Sequence, residues 1–179
     1  MNWTPGRKRL IGGILGVQFM VPHALAGGHK EHPYRHSVVD MPVSLAVGTV
    51  QTPEFPVASL GYWILVQVEV PLPFQKTQFQ QMKCMMGVTS GPIESQDCGR
   101  DDPLLRADWT VWDGEQMVDN GSSTTEADGK FAEQHIFKFL GKFMGESGRK
   151  YILKVKFTKD GAPLNVANPH LIVTKVGDE

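Results

Sequence analysis

The chain has 179 residues, of which 41% are hydrophobic and 21% charged, and its formal net charge is −1 with histidine neutral. Proteins that bind nucleic acid or anionic membranes by charge need clustered basic residues, so this near-neutral balance argues against both classes.

The first 26 residues have the three-part order of a secretory signal peptide. Residues 7–9 are basic, residues 10–21 form an apolar run, and Ala24 and Ala26 precede Gly27. A run of about 12 residues is too short to span a bilayer as a helix, so we expect cleavage after Ala26; an uncleaved anchor is the alternative. We therefore expect a periplasmic or secreted protein with no transmembrane segment after cleavage.

The predicted mature chain is of single-domain length and carries a net charge of about −4. It begins with a polar arm, residues 27–42, which has no hydrophobic period and which we expect to be flexible. If cleavage follows Ala26, then Gly27, Gly28 and His29 combine a free α-amine, two backbone amides and an imidazole into a square-planar set of nitrogens. That geometry suits Cu(II) or Ni(II), although such a sequence can also arise by chance. We expect no other cofactor.

Alternation of apolar and polar residues predicts the strands of one domain, residues 43–176. The clearest are residues 61–70 and 150–157, whose shared apolar faces predict a core of Tyr62, Ile64, Val66, Val68, Tyr151, Leu153, Val155 and Phe157. Further strands are predicted over residues 43–50, 104–113, 115–120, 135–143 and 170–176. About seven strands with short turns predict an all-β fold, an antiparallel immunoglobulin-like β-sandwich.

Residues 76–86 interrupt this pattern, because their apolar side chains recur at roughly helical spacing and Gly87 is a suitable end. They predict one short helical insertion. Cys84 and Cys98 are the two cysteines, and in an oxidising compartment we expect them to form a structural disulfide. A metal or redox pair is the alternative, but a C-x-x-C spacing is absent.

Several of these segments together resemble a family of exported bacterial immunoglobulin-like proteins of unknown function. They are the signal peptide, the Tyr62 strand, and residues 83–87 (Lys-Cys-Met-Met-Gly), 109–114 (Trp-Thr-Val-Trp-Asp-Gly) and 145–151 (Gly-Glu-Ser-Gly-Arg-Lys-Tyr). The resemblance covers about residues 43–176. It implies the fold and the compartment, and it supplies no catalytic residues.

Alternation also places Trp63, Leu65 and Trp112 on the strand faces opposite the predicted core. Exposed aromatic residues can form a binding patch, which the loop over residues 121–130 would extend, or the helical insertion can cover that face. Carbohydrate stacking is a further use of such residues. The methionines at positions 82, 85 and 86 could ligate Cu(I) together with Cys84, or they could fill the core.

No catalytic motif is present: the serines lack a G-x-S-x-G turn, and His135 and His170 lie in predicted strands without an evident acidic partner. Acidic residues such as Asp101 and Asp102 do not follow the spacing of a calcium loop. We therefore expect a non-enzymatic module that binds another exported or envelope protein, with an inhibitor or immunity-type role as one form. The alternatives are a metal-binding envelope protein and a secreted hydrolase.

Overall fold

The structure is a computed structural model that describes residues 37–58, 60–73, 75–88, 103–123, 129–132 and 134–177. The predicted signal peptide and the Gly27-Gly28-His29 site lie outside these residues. The strands are β1 (Val39–Pro42), β2 (Gly48–Gln51), β3 (Phe55–Pro56), β4 (Gly61–Glu69), β5 (Ala107–Asp113), β6 (Gln116–Ser122), β7 (Gly129–Ala132), β8 (His135–Met144), β9 (Lys150–Phe157) and β10 (His170–Lys175). The helices are α1 (Lys76–Met86) and a 3-10 helix (Ala162–Ala167). Within the described residues, no helix is long and apolar enough to cross a membrane.

All strand pairs in the two sheets are antiparallel, which confirms the predicted all-β class. Sheet A has the strand order β1-β10-β4-β8-β7. Sheet B has the order β2-β9-β5-β6, and β3 also pairs with β9. The described residues thus contain ten strands, compared with about seven predicted, and the additional ones are the short strands β1, β3 and β7.

Side chains from both sheets meet in one hydrophobic core. The strand β4 contributes Tyr62, Ile64, Val66 and Val68, and β9 contributes Tyr151, Leu153, Val155 and Phe157, all of them buried as the alternation predicted. Because side chains of a strand alternate between its faces, the residues between these positions point away from the shared core. Each sheet therefore has an outer face.

The helix α1 forms where the helical insertion was predicted. Its end is set by Gly87, which has the left-handed φ of 70° and donates its N–H to the Cys84 carbonyl oxygen. The buried side chains Phe79, Met82 and Met86 belong to the core shared by the two sheets, and the Phe79 ring lies 4.6 Å from that of Phe131 on β7. The helical prediction is confirmed.

Three sequence predictions need correction at element boundaries. The flexible arm was predicted over residues 27–42, but Val39–Pro42 form β1 and pair with β10. The strand predicted over residues 43–50 forms only from Gly48 onwards, as β2. Before it, the Leu45 backbone forms hydrogen bonds with the Asn165 side chain and the Gly161 N–H, in and beside the 3-10 helix. The polar loop predicted over residues 121–130 is shorter, since β6 continues to Ser122 and β7 begins at Gly129.

Candidate functional site

The predicted patch of Trp63, Leu65 and Trp112 does not form one surface. Trp63 and Leu65 lie on β4 in sheet A, whereas Trp112 lies on β5 in sheet B. Both tryptophans are half-buried, but Leu65 is completely buried. The prediction of a single exposed patch is therefore wrong, and the two outer faces must be considered separately.

The outer face of sheet A carries a second apolar cluster, distinct from the core. Leu65, Phe137 and Ile172 are completely buried there, with Trp63 and Phe139 packed against them. The Trp63 and Phe139 rings are 5.1 Å apart, edge to face. The alternative prediction was that α1 covers this face. The buried apolar side chains of the helix instead pack into the core on the other side of the sheet.

The sequence contained a signal for this cluster. Ile64-Leu65-Val66 on β4 and Leu171-Ile172-Val173 on β10 are apolar on both faces, which is typical of strands that are covered on both sides. Polar side chains are also buried on this face, namely Gln67, His135 and Thr174. The cost of burying polar groups means that such positions are usually read as exposed from a single sequence.

The outer face of sheet B is formed entirely by described strands. Trp112 on β5 pairs with Ile152 on β9 and with Met117 on β6, so these three side chains are neighbours on one face. Ile152 is half-buried and Met117 is 47% exposed. These residues form the accessible apolar group of sheet B, which we call the Trp112 group.

Two contacts hold the Trp112 indole in place. Its Nε1 donates a 2.8 Å hydrogen bond to Thr110 Oγ1, two residues earlier on the same face. The Lys154 ammonium lies 4.5 Å from the ring centroid, a cation–π distance. A side chain that is already ordered loses less conformational entropy when a ligand binds.

The predicted metal sites find no support in the described part of the chain. Gly27, Gly28 and His29 are not described, and within the described residues no group of three or more His, Cys, Asp or Glu side chains could hold a metal ion. The methionines of α1 act as packing residues: Met82 and Met86 are buried in the core and Met85 packs against it. Cys84 is not a free thiol. Its expected partner Cys98 lies outside the described residues, so the pairing stays a prediction.

The histidines considered for catalysis lie in different environments. His135 is buried on the outer face of sheet A. His170 on β10 has its Nδ1 2.6 Å from Asp40 Oδ1 on β1, an acidic partner that the sequence did not indicate because the two residues are 130 positions apart. Asp113, the last residue of β5, forms an ion pair with Arg149 at 3.1 Å.

Two buried lysines were also missed from the sequence. Lys83 on α1 and Lys138 on β8 are almost inaccessible to solvent. Lys138 Nζ donates a 3.0 Å hydrogen bond to the Gly87 carbonyl oxygen, just beyond the end of α1. Burial lowers the pKa of the Lys83 ammonium below its ordinary value. Lysine is rarely buried, so sequence alone favours exposure at both positions.

No family model matches this chain, and no curated protein matches its sequence. Among solved structures, the crystal structure of a protein from Sulfurospirillum deleyianum is similar, with a TM-score of 0.55 and 10% sequence identity. The match covers 78% of this chain and 97% of the other. At that identity, the similarity concerns the fold alone.

Proposed function

We propose that this protein is an exported, non-catalytic binding module of the cell envelope that recognises another exported protein through the outer face of sheet B. The observation that carries the proposal is the Trp112 group, an accessible apolar centre around a fixed indole. An inhibitor or immunity-type role is one form that such binding can take.

The composition of this face suits a protein interface. Binding energy at interfaces is concentrated in a few residues, most often aromatic ones or arginine, surrounded by a polar rim. Here Trp112, Ile152 and Met117 form the centre, and Thr110 and Lys154 lie beside them in the next row of the sheet. The indole is held by its hydrogen bond and by the Lys154 ammonium, so it is presented in one orientation.

The sequence and the sheet architecture together support two further parts of the proposal, namely export from the cytoplasm and an immunoglobulin-like type of sandwich. Residues 1–26 have the order of a signal peptide, and the two cysteines would form a disulfide in an oxidising compartment. Two antiparallel sheets that share one core support the immunoglobulin-like sandwich as the fold type. Such sandwiches host many functions, so the fold alone does not indicate binding, whereas the outer face of sheet B does.

Replacement of Trp112 tests the proposal directly. The mature protein and its Trp112→Ser and Met117→Ser variants would be immobilised, exposed to an envelope extract, and compared by mass spectrometry of the retained proteins. We expect Trp112→Ser to lose specific partners and Met117→Ser to weaken their retention, with both variants folded by circular dichroism.

A matched control is Val166→Ser, because Val166 is 90% exposed on the 3-10 helix and lies outside sheet B. This variant should retain every partner of the parent. If Trp112→Ser also retains them all, the outer face of sheet B is not the binding surface and the proposal fails.

A further inference from the structure

We infer that the partner docks on the Trp112 group through an acidic, extended segment of its chain, and this inference rests on the proposed function. Carboxylates of the segment would lie over the lysines of β9, and an apolar side chain would contact Trp112.

The outer face of sheet B is basic, although the chain as a whole is not. Lys150, Lys154 and Lys156 occupy outward positions of β9. Among the described outward positions of β2, β9, β5 and β6, the acidic residue is Asp108. The predicted mature chain, by contrast, has a net charge of about −4. Charge is therefore segregated, and a positive face favours an acidic partner.

Two of these lysines are available for a partner. Lys150 forms an ion pair with Glu54 at 3.4 Å. Within the described residues, by contrast, no carboxylate forms an ion pair with Lys154 or Lys156, although Asp108 lies directly across from Lys156 in the register of β5 and β9. Lys156 is exposed, and the Lys154 ammonium contacts the Trp112 ring. An approaching carboxylate can therefore reach Lys154 and the indole at the same place.

The lysine spacing matches that of an extended peptide. Lys154 and Lys156 are two residues apart on one strand, which places their Cα atoms roughly 6.6 to 6.8 Å apart. Acidic residues at alternate positions of an extended chain have the same period. Such a segment can place two carboxylates over these lysines while an apolar residue farther along reaches the Trp112 group.

A labelled synthetic peptide provides the test. The probe would be an eight-residue fluorescein peptide with glutamate at alternate positions and one leucine, and its control would carry glutamine in place of glutamate. Fluorescence polarisation would measure binding to the mature protein at about 20 mM and about 200 mM salt, since screening weakens exposed charge interactions. We expect the glutamate peptide to bind at least about tenfold more tightly at the lower salt concentration, and the glutamine peptide not to bind.

Variants locate the site. Lys154→Gln together with Lys156→Gln should weaken binding of the peptide about tenfold, and Trp112→Ser should weaken it as well. The control is Lys142→Gln together with Lys175→Gln, which removes the same charge from sheet A and should leave binding unchanged. Equal weakening by both double variants would show a general charge effect and overturn the inference. So would binding of a heparin fragment but not of the peptide, which would assign the face to anionic polysaccharide.

The outcomes separate this inference from the proposed function. If capture of natural partners needs Trp112 but is unaffected by salt and by loss of Lys154 and Lys156, the face binds proteins, and the inference that it binds an acidic segment is wrong. If capture does not need Trp112, the proposed function fails whatever the peptide does.

Discussion

Trp109 on β5 donates a hydrogen bond from its Nε1 to the carbonyl oxygen of Leu140 on β8, at 3.0 Å, and so links sheet B to sheet A through the core. The indole is 5% exposed. Its ring lies against two glycines: a Cβ on Gly121 would come within 2.5 Å of a ring atom, and a Cβ on Gly141 within 2.4 Å. The contact between the sheets therefore requires the large side chain of Trp109 and the absence of a side chain at Gly121 and Gly141.

Gly141→Ala should destabilise the protein by about 1 to 3 kcal/mol, because the methyl group would overlap the Trp109 ring and force the two sheets to shift. Urea titration monitored by circular dichroism measures the change. In a Trp109→Leu background, the same substitution should cost much less, since the ring atoms that it meets are gone. Equal costs in the two backgrounds would show that the indole is not the source of the effect.

Gly87 and Gly148 offer a second comparison, because both have left-handed backbones, with φ of 70° and 82°. A Cβ on Gly87 would come within 2.7 Å of Pro103, whereas a Cβ on Gly148 would meet no atom within 4 Å. We expect Gly148→Ala to cost about 1 kcal/mol from backbone strain alone, and Gly87→Ala to cost at least about 1 kcal/mol more. Thermal and urea unfolding would measure both, and similar losses would contradict the predicted clash at the end of α1.

The predictable parts of the fold are those that depend on residues close together in the sequence. Alternation in β4 and β9 identified their core faces, and the helical spacing of Phe79, Met82 and Met86 identified α1. In each case the period of the apolar residues matches the geometry of the element that buries them. The class of the fold followed from the number of such strands.

The parts that were missed depend on distant residues. Asp40 meets His170 across β1 and β10, and neither neighbourhood signals the other. The strand β1, Val-Asp-Met-Pro, belongs to the arm that the absence of a hydrophobic period predicts to be flexible, and its pairing with β10 is a contact with residues far along the chain. Alternation gave the direction of Trp63 and Leu65 correctly, but an outward direction did not make Leu65 accessible. Direction is a local property, whereas exposure depends on what packs against the face.

Leu153 and Lys156 test the two faces of β9. Leu153 is completely buried in the core and Lys156 is exposed on the outer face. Leu153→Ala should lower the free energy of unfolding by about 2 to 4 kcal/mol, through lost transfer energy and the cavity left behind. Lys156→Ala should change it by less than about 0.5 kcal/mol. Urea titrations would compare the variants, and similar losses would refute the assignment of the faces.

Lys83 provides a pH-dependent test of burial. Burial lowers the pKa of its ammonium from the ordinary value of 10.5, and the Phe79 ring at 5.9 Å is its described cation–π contact. In the unfolded chain the pKa returns towards its ordinary value. Between the lowered pKa and about 10.5, the unfolded chain therefore binds more protons than the folded one, so this group makes stability rise with pH across that window.

Lys83→Met keeps the apolar stem of the side chain and removes the buried charge. We expect the variant to be more stable than the parent at neutral pH, by about 1 kcal/mol or more, because the cost of burying the ammonium is gone. That advantage should shrink as the pH approaches about 10.5, since the lysine of the parent is then increasingly neutral in both the folded and the unfolded state. Urea titrations of both proteins at several pH values would give the difference, and Lys76→Met, at the exposed start of α1, is the matched control for loss of a lysine from this helix. A Lys83→Met protein that is less stable at neutral pH would show that the folded state favours the ammonium. A difference that stays constant as the pH rises would show that folding does not shift the pKa of Lys83.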